Sequence, residues 1–363
     1  MAGNGLKFRR MKAMLTVALI FGGRSAEHEI SIISARAIHK NLNRKKYRVL
    51  CIYVTKEGNW KLVPSPEATA TPLKTGRGFS FLPWARSRSR PAIKADVYFP
   101  VLHGPYGEDG TIQGLLEMAD VPYVGAPVLA SAIGMDKAIF KHLLSRLGLP
   151  VVPYLVLYEA DWKKERKHIE RKIIKEIGLP LFVKPANLGS SVGISKVKIR
   201  KELAPAVRLA FRYDHKILVE KAIRGREIEC SVLGNEQPRA SLPGEVIPHR
   251  EFYDYADKYL EGKTRFHIPA ELPAALARRF QELAVASFKA IDGCGMARVD
   301  FFLEQGTQNI YINEINTIPG FTEISMYPRL WEVSGLSFAG LLDRLINLAL
   351  RRHRLKKRCL ERT

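Results

Sequence analysis

The sequence predicts an α/β protein with an α+β C-terminal part: a parallel-sheet N-terminal region, Rossmann-like in its rhythm, followed by mixed strands and helices. Three observations predict this. Strand-like and helix-like segments alternate from about residue 14 to 125, the pattern of βαβ units. Two apolar-rich runs at 297–304 and 309–316, joined by Gln305-Gly306-Thr307-Gln308, read as a β-hairpin with Gly306 supplying the turn. Glycine-rich loops follow strand-like runs at 21–29, 103–110 and 184–193, at the strand ends where α/β folds bind ligands.

In chain order, residues 15–21 are a buried strand ending in a glycine turn, followed by a helix over 25–42 and a strand over 47–53. Residues 64–91, rich in Pro, Ser and Arg, are an irregular excursion; a strand over 97–102, a helix over 111–119 and a short strand over 121–124 come next. A helix over 137–147 is stopped by Gly148 and Pro150. Then come a strand near 154–157, a charged helix over 162–177, strands over 181–184 and 192–197 around a Gly/Ser loop, and a strand over 217–220. The last third holds a strand over 227–232, the hairpin, a helix over 273–291 and a closing helix over 338–352. The polar, tyrosine-rich segment 248–269 has no clear periodicity and is long enough to be a functional loop.

At 363 residues the chain can bury two or three cores, and 46% apolar with 26% charged residues is ordinary for a soluble enzyme. Cys51, Cys230, Cys294 and Cys359 are scattered, which suggests neither a zinc site nor a disulfide framework. The net charge of +22 is unusual, and part of it is local, in the run 351–358 and in Arg86, Arg88 and Arg90. Such charge favours anionic partners, but no interleaved aromatics or nucleic-acid motif accompany it, so a solvated basic surface is the expectation. The apolar run 13–21 after a basic stretch imitates a signal peptide, yet Gly22-Gly23-Arg24 stands where a cleavage site belongs. No uncharged apolar run reaches the ~18 residues of a membrane span, so a cytoplasmic protein without membrane contact is expected; Met11 and Met14 are alternative starts.

The hairpin carries the most chemistry. Side chains alternate along a strand, so a turn centred near Thr307 places Asp300 opposite Glu314 and Arg298 opposite Asn316. Val299, Phe301 and Ile315 then point to the other face. Facing carboxylates repel unless a cation lies between them, and Asp, Glu and Asn oxygens suit Mg²⁺. A salt-bridged surface hairpin, with Arg298 neutralising Asp300, is the alternative. Lys184 ends a strand before Gly189-Ser190-Ser191, whose amides can cradle phosphate, although the order is not that of a Walker A loop. Glu220 to Ile223, with Glu227, is a strand end able to frame adenine and ribose, or simply an exposed strand end. Glu27 and Glu29 open a helix after Gly22-Gly23; they either complement the helix dipole or hold an ammonium group. His103 reads equally as a ligand-facing and as a structural hydrogen-bonding residue.

Taken together and in this order, the segments resemble the D-alanine–D-alanine ligases of the ATP-grasp superfamily, from about residue 17 to 350. The resemblance rests on Phe-Gly-Gly-Arg-Ser-Ala-Glu-His-Glu at 21–29, His-Gly-Pro-Tyr-Gly-Glu-Asp-Gly at 103–110, Met-Asp-Lys at 135–137 and Val-Lys-Pro at 183–185. Gly-Ser-Ser-Val-Gly at 189–193, Phe-Tyr-Asp-Tyr-Ala-Asp-Lys-Tyr at 252–259, Ala-Arg-Val-Asp-Phe at 297–301 and Asn-Glu-Ile-Asn-Thr-Ile-Pro-Gly at 313–320 complete it. It implies an ATP-grasp fold divided at 1–128, 129–221 and 222–350, a closing loop at 248–269 and a basic tail at 351–363. It also implies ATP-dependent joining of two D-alanines through D-alanyl phosphate for peptidoglycan synthesis, with D-alanine–D-serine or D-alanine–D-lactate ligation as the alternative. By this resemblance Lys137, Lys184, Ser190, Ser191 and Lys258 serve ATP phosphates, and Glu220, Lys221, Ala222, Ile223 and Glu227 surround adenine and ribose. Asp300, Glu314 and Asn316 would hold two Mg²⁺, with Mn²⁺ as a substitute. Arg298 and Gly320 would stabilise the tetrahedral oxyanion, Glu27 would take the first ammonium, and Ser325 the second carboxylate. His103, Lys258 and Met326 would border the substrates, with Tyr259 latching onto Glu27 and Ser190. A homodimer is implied as well. The basic tail departs from the family pattern.

Two other classes make different demands. A nicotinamide-dependent dehydrogenase needs a full G-x-G-x-x-G in the first βαβ unit, which is lacking. A basic nucleic-acid-binding protein predicts salt-sensitive retention on DNA. The tyrosine-rich loop argues against the lactate-using ligases, whose loop bears a histidine.

Overall fold

The computed structural model describes residues 14–70, 94–189, 192–247 and 264–360, with side chains described as far as Lys357. The first sheet contains β1 (Leu15–Gly22), β2 (Tyr47–Val54), β3 (Trp60–Val63) and β4 (Val97–Pro100), in the order β3-β2-β1-β4. β1 pairs in parallel with β2 and β4, and its apolar run lies buried in the sheet centre. β3, not anticipated, returns antiparallel along the β2 edge. α1 (His28–Asn41) follows β1 and α2 (Thr111–Met118) follows the loop after β4, so both glycine loops open on the same sheet end. The expected strand at 121–124 is reduced to a bridge between Tyr98 and Tyr123, because Pro122 has no N–H to donate to a ladder.

A second, antiparallel sheet runs β5-β8-β6-β7, from β5 (Tyr154–Tyr158), β6 (Leu181–Pro185), β7 (Ser195–Val197) and β8 (Lys216–Lys221). α5 (Glu159–Glu176) and α6 (Leu203–Phe211) cover it, burying Trp162, Ile173, Val207 and Val219. The third sheet holds β9 (Gly225–Gly234), β10 (Arg239–Ala240), β11 (Gly244–Ile247), β12 (Arg265–His267), β13 (Gly295–Glu304) and β14 (Ile310–Asn316). Its order is β12-β11-β9-β13-β14, with β10 beside β9. α7 (Ala274–Ala290) lays Phe280, Leu283 and Phe288 against Val299, Phe301 and Ile315, so the apolar face of the hairpin is the core face.

The remaining helices connect the layers. α3 (Val128–Met135) leads into α4 (Lys137–Arg146), whose N-cap Asp136 accepts from the amides of Ala138 and Ile139. α8 (Met326–Val333) and α9 (Phe338–Leu360) pack Tyr327, Trp331, Leu341, Leu342, Leu345 and Ile346 into one core with Val17, Leu19 and Phe99 of the first sheet. The basic run, expected as a tail from residue 351, is helical through Leu360. The buried stripe of Leu342, Leu345, Ile346 and Ala349 carries the helical period onward into it. Among the described residues no single helix is long and apolar enough to cross a membrane. α8 and the first part of α9 pass on composition only as a pair bent by 105°, and their apolar residues belong to this core.

Candidate active site

Register on the hairpin places its polar side chains as the sequence analysis expected: Arg298 pairs with Asn316 and Asp300 with Glu314. On the other flank Asp300 pairs with Glu229 of β9, so three carboxylates stand in a row on adjacent strands. Neighbouring strands are only about 4.8 Å apart, so such a row needs cations. Arg298 supplies one, gripping Asp300 through two bonds of 2.7 Å and lying 3.0 Å from Glu229. Burial disfavours the guanidinium charge, but Asp300 and Glu229 hold its pKa well above the ordinary value. Asn316 donates to Asp300 at 3.0 Å. Arg298 thus neutralises Asp300, as the salt-bridged reading expected, but in a mostly buried cleft and not at the surface, and the oxygen donors share one face.

Beyond Asp300 the register shifts, and Phe301 pairs with Ile312, which leaves Asn313 as the extra residue of a β-bulge. The bulge has a use. Asn313 Oδ1 accepts from Lys184 Nζ at 3.2 Å, joining the hairpin to the end of β6. Lys184 also lies 2.6 Å from Glu220 of β8, and Glu220 is 3.3 Å from Lys141 of α4. Lys137, one helical turn earlier, reaches Glu314 at 3.2 Å and donates to the Leu188 carbonyl at 2.8 Å. Burial disfavours the Lys137 charge, yet Glu314, with Glu220 and Glu108, more than offsets this and raises its pKa. Burial likewise opposes the Glu220 charge, while Lys141 and Lys184 overcome it and lower its pKa.

Beside this network a cavity of about 90 Å³, room for several waters or one small polar molecule, is lined by Glu27, His103, Arg298, Glu314, Asn316, Gly320, Ser325 and Met326. Glu27 is cradled by two glycines: a Cβ at Gly104, where φ is +74°, would lie 2.9 Å from its carboxylate, and one at Gly189 3.1 Å away. Any larger residue at Gly104 would meet both that contact and a left-handed backbone. The three glycine loops singled out in the sequence thus meet at Glu27. Gly320 has a similar reason, since a Cβ there would come within 2.7 Å of Ser325 Oγ. Ser325 is the N-cap of α8 and its Oγ accepts from the Thr322 amide at 3.0 Å; Met326 follows it, buried against Val246 and Leu330.

His103 lines the cavity with both ring nitrogens engaged, by Ser34 Oγ at 3.1 Å and the Ile318 carbonyl at 3.1 Å. Burial lowers the pKa of such a ring, but Glu108, 3.6 Å away, and Glu27 outweigh it and raise the value. Lys221, Ala222 and Ile223 leave β8 on the far side of Glu220, where the amides of Lys221 and Ala222 donate to Pro153 and Pro180. Glu227 lies across the following turn on β9. Ser190, Ser191, Lys258, Tyr259 and most of the expected closing loop lie outside the described residues.

Lys141, Glu108 and Glu229 were not expected as site residues from sequence. Lys141 carried a signal, its i+4 spacing from Lys137 on one helix face. Glu229 carried none, because its place beside Asp300 depends on β9 pairing with β13 across an intervening helix.

Metal fit follows from the donors. Asp300, Glu314 and Asn316 offer hard oxygens on one face, which suits Mg²⁺. Among the described residues no three His, Cys, Asp or Glu side chains converge as a cage.

Comparison with known proteins agrees with this architecture. Residues 16–126 match the family model "D-ala D-ala ligase N-terminus" and residues 143–347 match "D-ala D-ala ligase C-terminus". The D-alanine–D-alanine ligase of Heliobacterium modesticaldum is 49% identical over 355 residues, covering 94% of this chain and 96% of the relative. That of Caldicellulosiruptor bescii is 48% identical over 356 residues, with 94% and 97% covered. Among solved structures, the D-alanine–D-alanine ligase from Coxiella burnetii superposes with a TM-score of 0.84 at 40% identity, covering 96% of this chain and 97% of its own. The VanG D-Ala:D-Ser ligase from Enterococcus faecalis gives 0.81 at 36% identity, with 93% and 100% covered. With both halves matched and near-complete coverage at almost half identity, the chain belongs to the D-alanine–D-alanine ligase family.

Proposed function

We propose that this protein joins two D-alanines into D-alanyl-D-alanine at the expense of ATP, releasing ADP and phosphate for cell-wall precursor synthesis. The supporting observation is the meeting of Glu27, Arg298, Gly320 and Ser325 around one cavity, directly beside the lysines at 137 and 184. A carboxylate is a poor acyl donor. Phosphorylation by the γ-phosphate of ATP makes the first D-alanine reactive, and the amine of the second displaces phosphate from its acyl carbon. Glu27 binds the first ammonium, and Ser325, at the positive end of α8, binds the second carboxylate. Arg298 and the Gly320 amide stabilise the oxyanion that forms between them. Lys137 and Lys184 hold the phosphates, and the end of β8 from Glu220 to Ile223, with Glu227, frames the nucleoside.

Mg²⁺, two ions held by Asp300, Glu314 and Asn316 and replaceable by Mn²⁺, supplies charge neutralisation of the triphosphate. Ser190, Ser191, Lys258 and Tyr259 keep the phosphate and latch roles that the family resemblance gives them. A cytoplasmic homodimer is part of the same reading. A coupled ADP-release assay with D-alanine, D-serine and D-lactate tests it. D-alanine alone should support turnover at neutral pH; preference for D-serine or D-lactate as second substrate would move the protein to a sister activity.

A further inference from the structure

We propose that Lys141 is a positioning residue for nucleotide binding: by holding one oxygen of Glu220, it keeps Lys184 set, and only partly neutralised, for a phosphate. This rests on the reading of Lys184 as a phosphate ligand. Lys141 is fully buried on α4, and its ammonium touches only protein: Glu220 Oε1 at 3.3 Å and the Ile312 carbonyl at 3.4 Å. It cannot itself reach a ligand. The other oxygen of Glu220 takes Lys184 at 2.6 Å, so one carboxylate is shared between two ammonium groups.

The sharing has two physical consequences. It fixes the carboxylate plane, because each oxygen is committed to a different strand or helix. It also leaves a surplus positive charge beside the cleft, where a one-to-one Lys184–Glu220 pair would be neutral. Coulomb attraction for an incoming polyanion is larger in that partly desolvated setting than in water. Burial pushes the Lys141 ammonium down to about 8, with Lys184 adding to the shift, while Glu220 and, less strongly, Glu314 pull it up. An apolar side chain of similar length would avoid that desolvation cost, and buried ion pairs replaced whole are often stability-neutral. A purely structural Lys141 is therefore a poor explanation of the arrangement.

The test compares Lys141→Met, Glu220→Gln, their double variant and Lys184→Met in the full-length protein, by ADP release at saturating D-alanine with ATP varied. Lys141→Met should raise the KM for ATP on the order of 10-fold with kcat within about 3-fold, the pattern of lost ground-state binding. The double variant should be no worse than the more affected single one, since both act on Lys184 along one path. An unchanged KM for ATP with a lowered Tm would make Lys141 merely structural and overturn the proposal; so would additive effects. If Lys141→Met fails to fold, Lys141→Gln, which keeps a donor for Ile312 but no charge, must show the same KM effect. If Lys184→Met leaves the KM unchanged, the phosphate role of Lys184 fails; if it alone raises the KM, only the role of Lys141 fails.

Discussion

Positive charge gathers in two regions of this molecule, the cleft and the far end of α9, and the two are built differently. In the cleft Lys137, Lys141, Lys184 and Arg298 are buried or nearly so, and each has at least two acceptors from different elements. On α9, Lys356 and Lys357 are about half exposed and pair with Glu117 and Asp120 at the end of α2. Arg352 is the exception there: it donates to the carbonyls of Tyr123 and Gly125 and lies 4.4 Å from the centre of the Tyr123 ring. The difference teaches that the sequence charge of +22 says little about function until burial is known. A desolvated cation must be paired and oriented, whereas an exposed one is screened by water and salt.

The comparison is sharpest at Arg298. Replacing it by Met leaves Asp300 and Glu229 facing each other without their shared cation. Loss of an oxyanion donor lowers kcat on the order of 10²–10³, and breaking a buried charge pair costs about 3–5 kcal/mol of stability. Arg298→Lys should recover more stability than rate, since an ammonium keeps the charge but not the planar two-bond grip on Asp300. Turnover and thermal unfolding of both variants check this; near-normal kcat in Arg298→Met would remove Arg298 from the chemistry.

Acid separates the regions next. Both Glu220 and Glu117 have depressed pKa values, since their lysine partners outweigh the burial that opposes them. A depressed carboxylate contributes stability that is present above its unfolded value, here 4.5, and lost as pH falls through the folded one. Glu220 is buried and Glu117 has about a quarter of its side chain exposed, so the acid limb of stability should flatten more in Glu220→Gln than in Glu117→Gln. Denaturant titrations between about pH 3 and 6 measure it; equal flattening would mean that burial does not govern these pairs.

Arg352→Ala comes third. It removes two charge-assisted hydrogen bonds and a ring contact that tie α9 to the first sheet, a loss of about 2–3 kcal/mol. Turnover should be unchanged at temperatures where the variant is folded, because nothing in the cleft touches Arg352. A lowered kcat with intact folding would show that the tie between α9 and the first sheet reaches the site.

Much of this was legible in the sequence because it rests on local pattern. The hairpin register at Asp300 and Glu314 followed from period-2 alternation and a glycine turn, and Gly306 does hold a positive φ there. The glycine loops were visible, but not that Gly104 and Gly189 both make room for Glu27, which depends on three elements meeting. α3, α6 and α8 went unseen, each in a stretch where no element was expected from sequence. The bulge at Asn313 was equally hidden: nothing in Ile-Asn-Glu announces an extra residue, and its reason is Lys184 on another sheet. The sequence withheld long-range partners and, with them, short elements such as β3, α6 and α8.

Lys356→Ala gives the smallest effect and bounds the comparison from below. Its pair with Glu117 lies at the surface, with the Lys356 side chain 54% exposed. Such pairs contribute about 0.2–1 kcal/mol at low salt, because water screens the attraction and ordering a long side chain costs entropy. The loss should shrink further as salt is raised from about 0.05 to 0.5 M, where the Debye length falls to a few ångströms. The Arg298 defect should shrink less over the same range, since its partners are mostly buried, with 13% of the Asp300 and 7% of the Glu229 side chain exposed. Unfolding curves of the two variants across that series decide the matter: parallel salt dependence would place both pairs in the same dielectric environment and undo the distinction between the two ends of the protein.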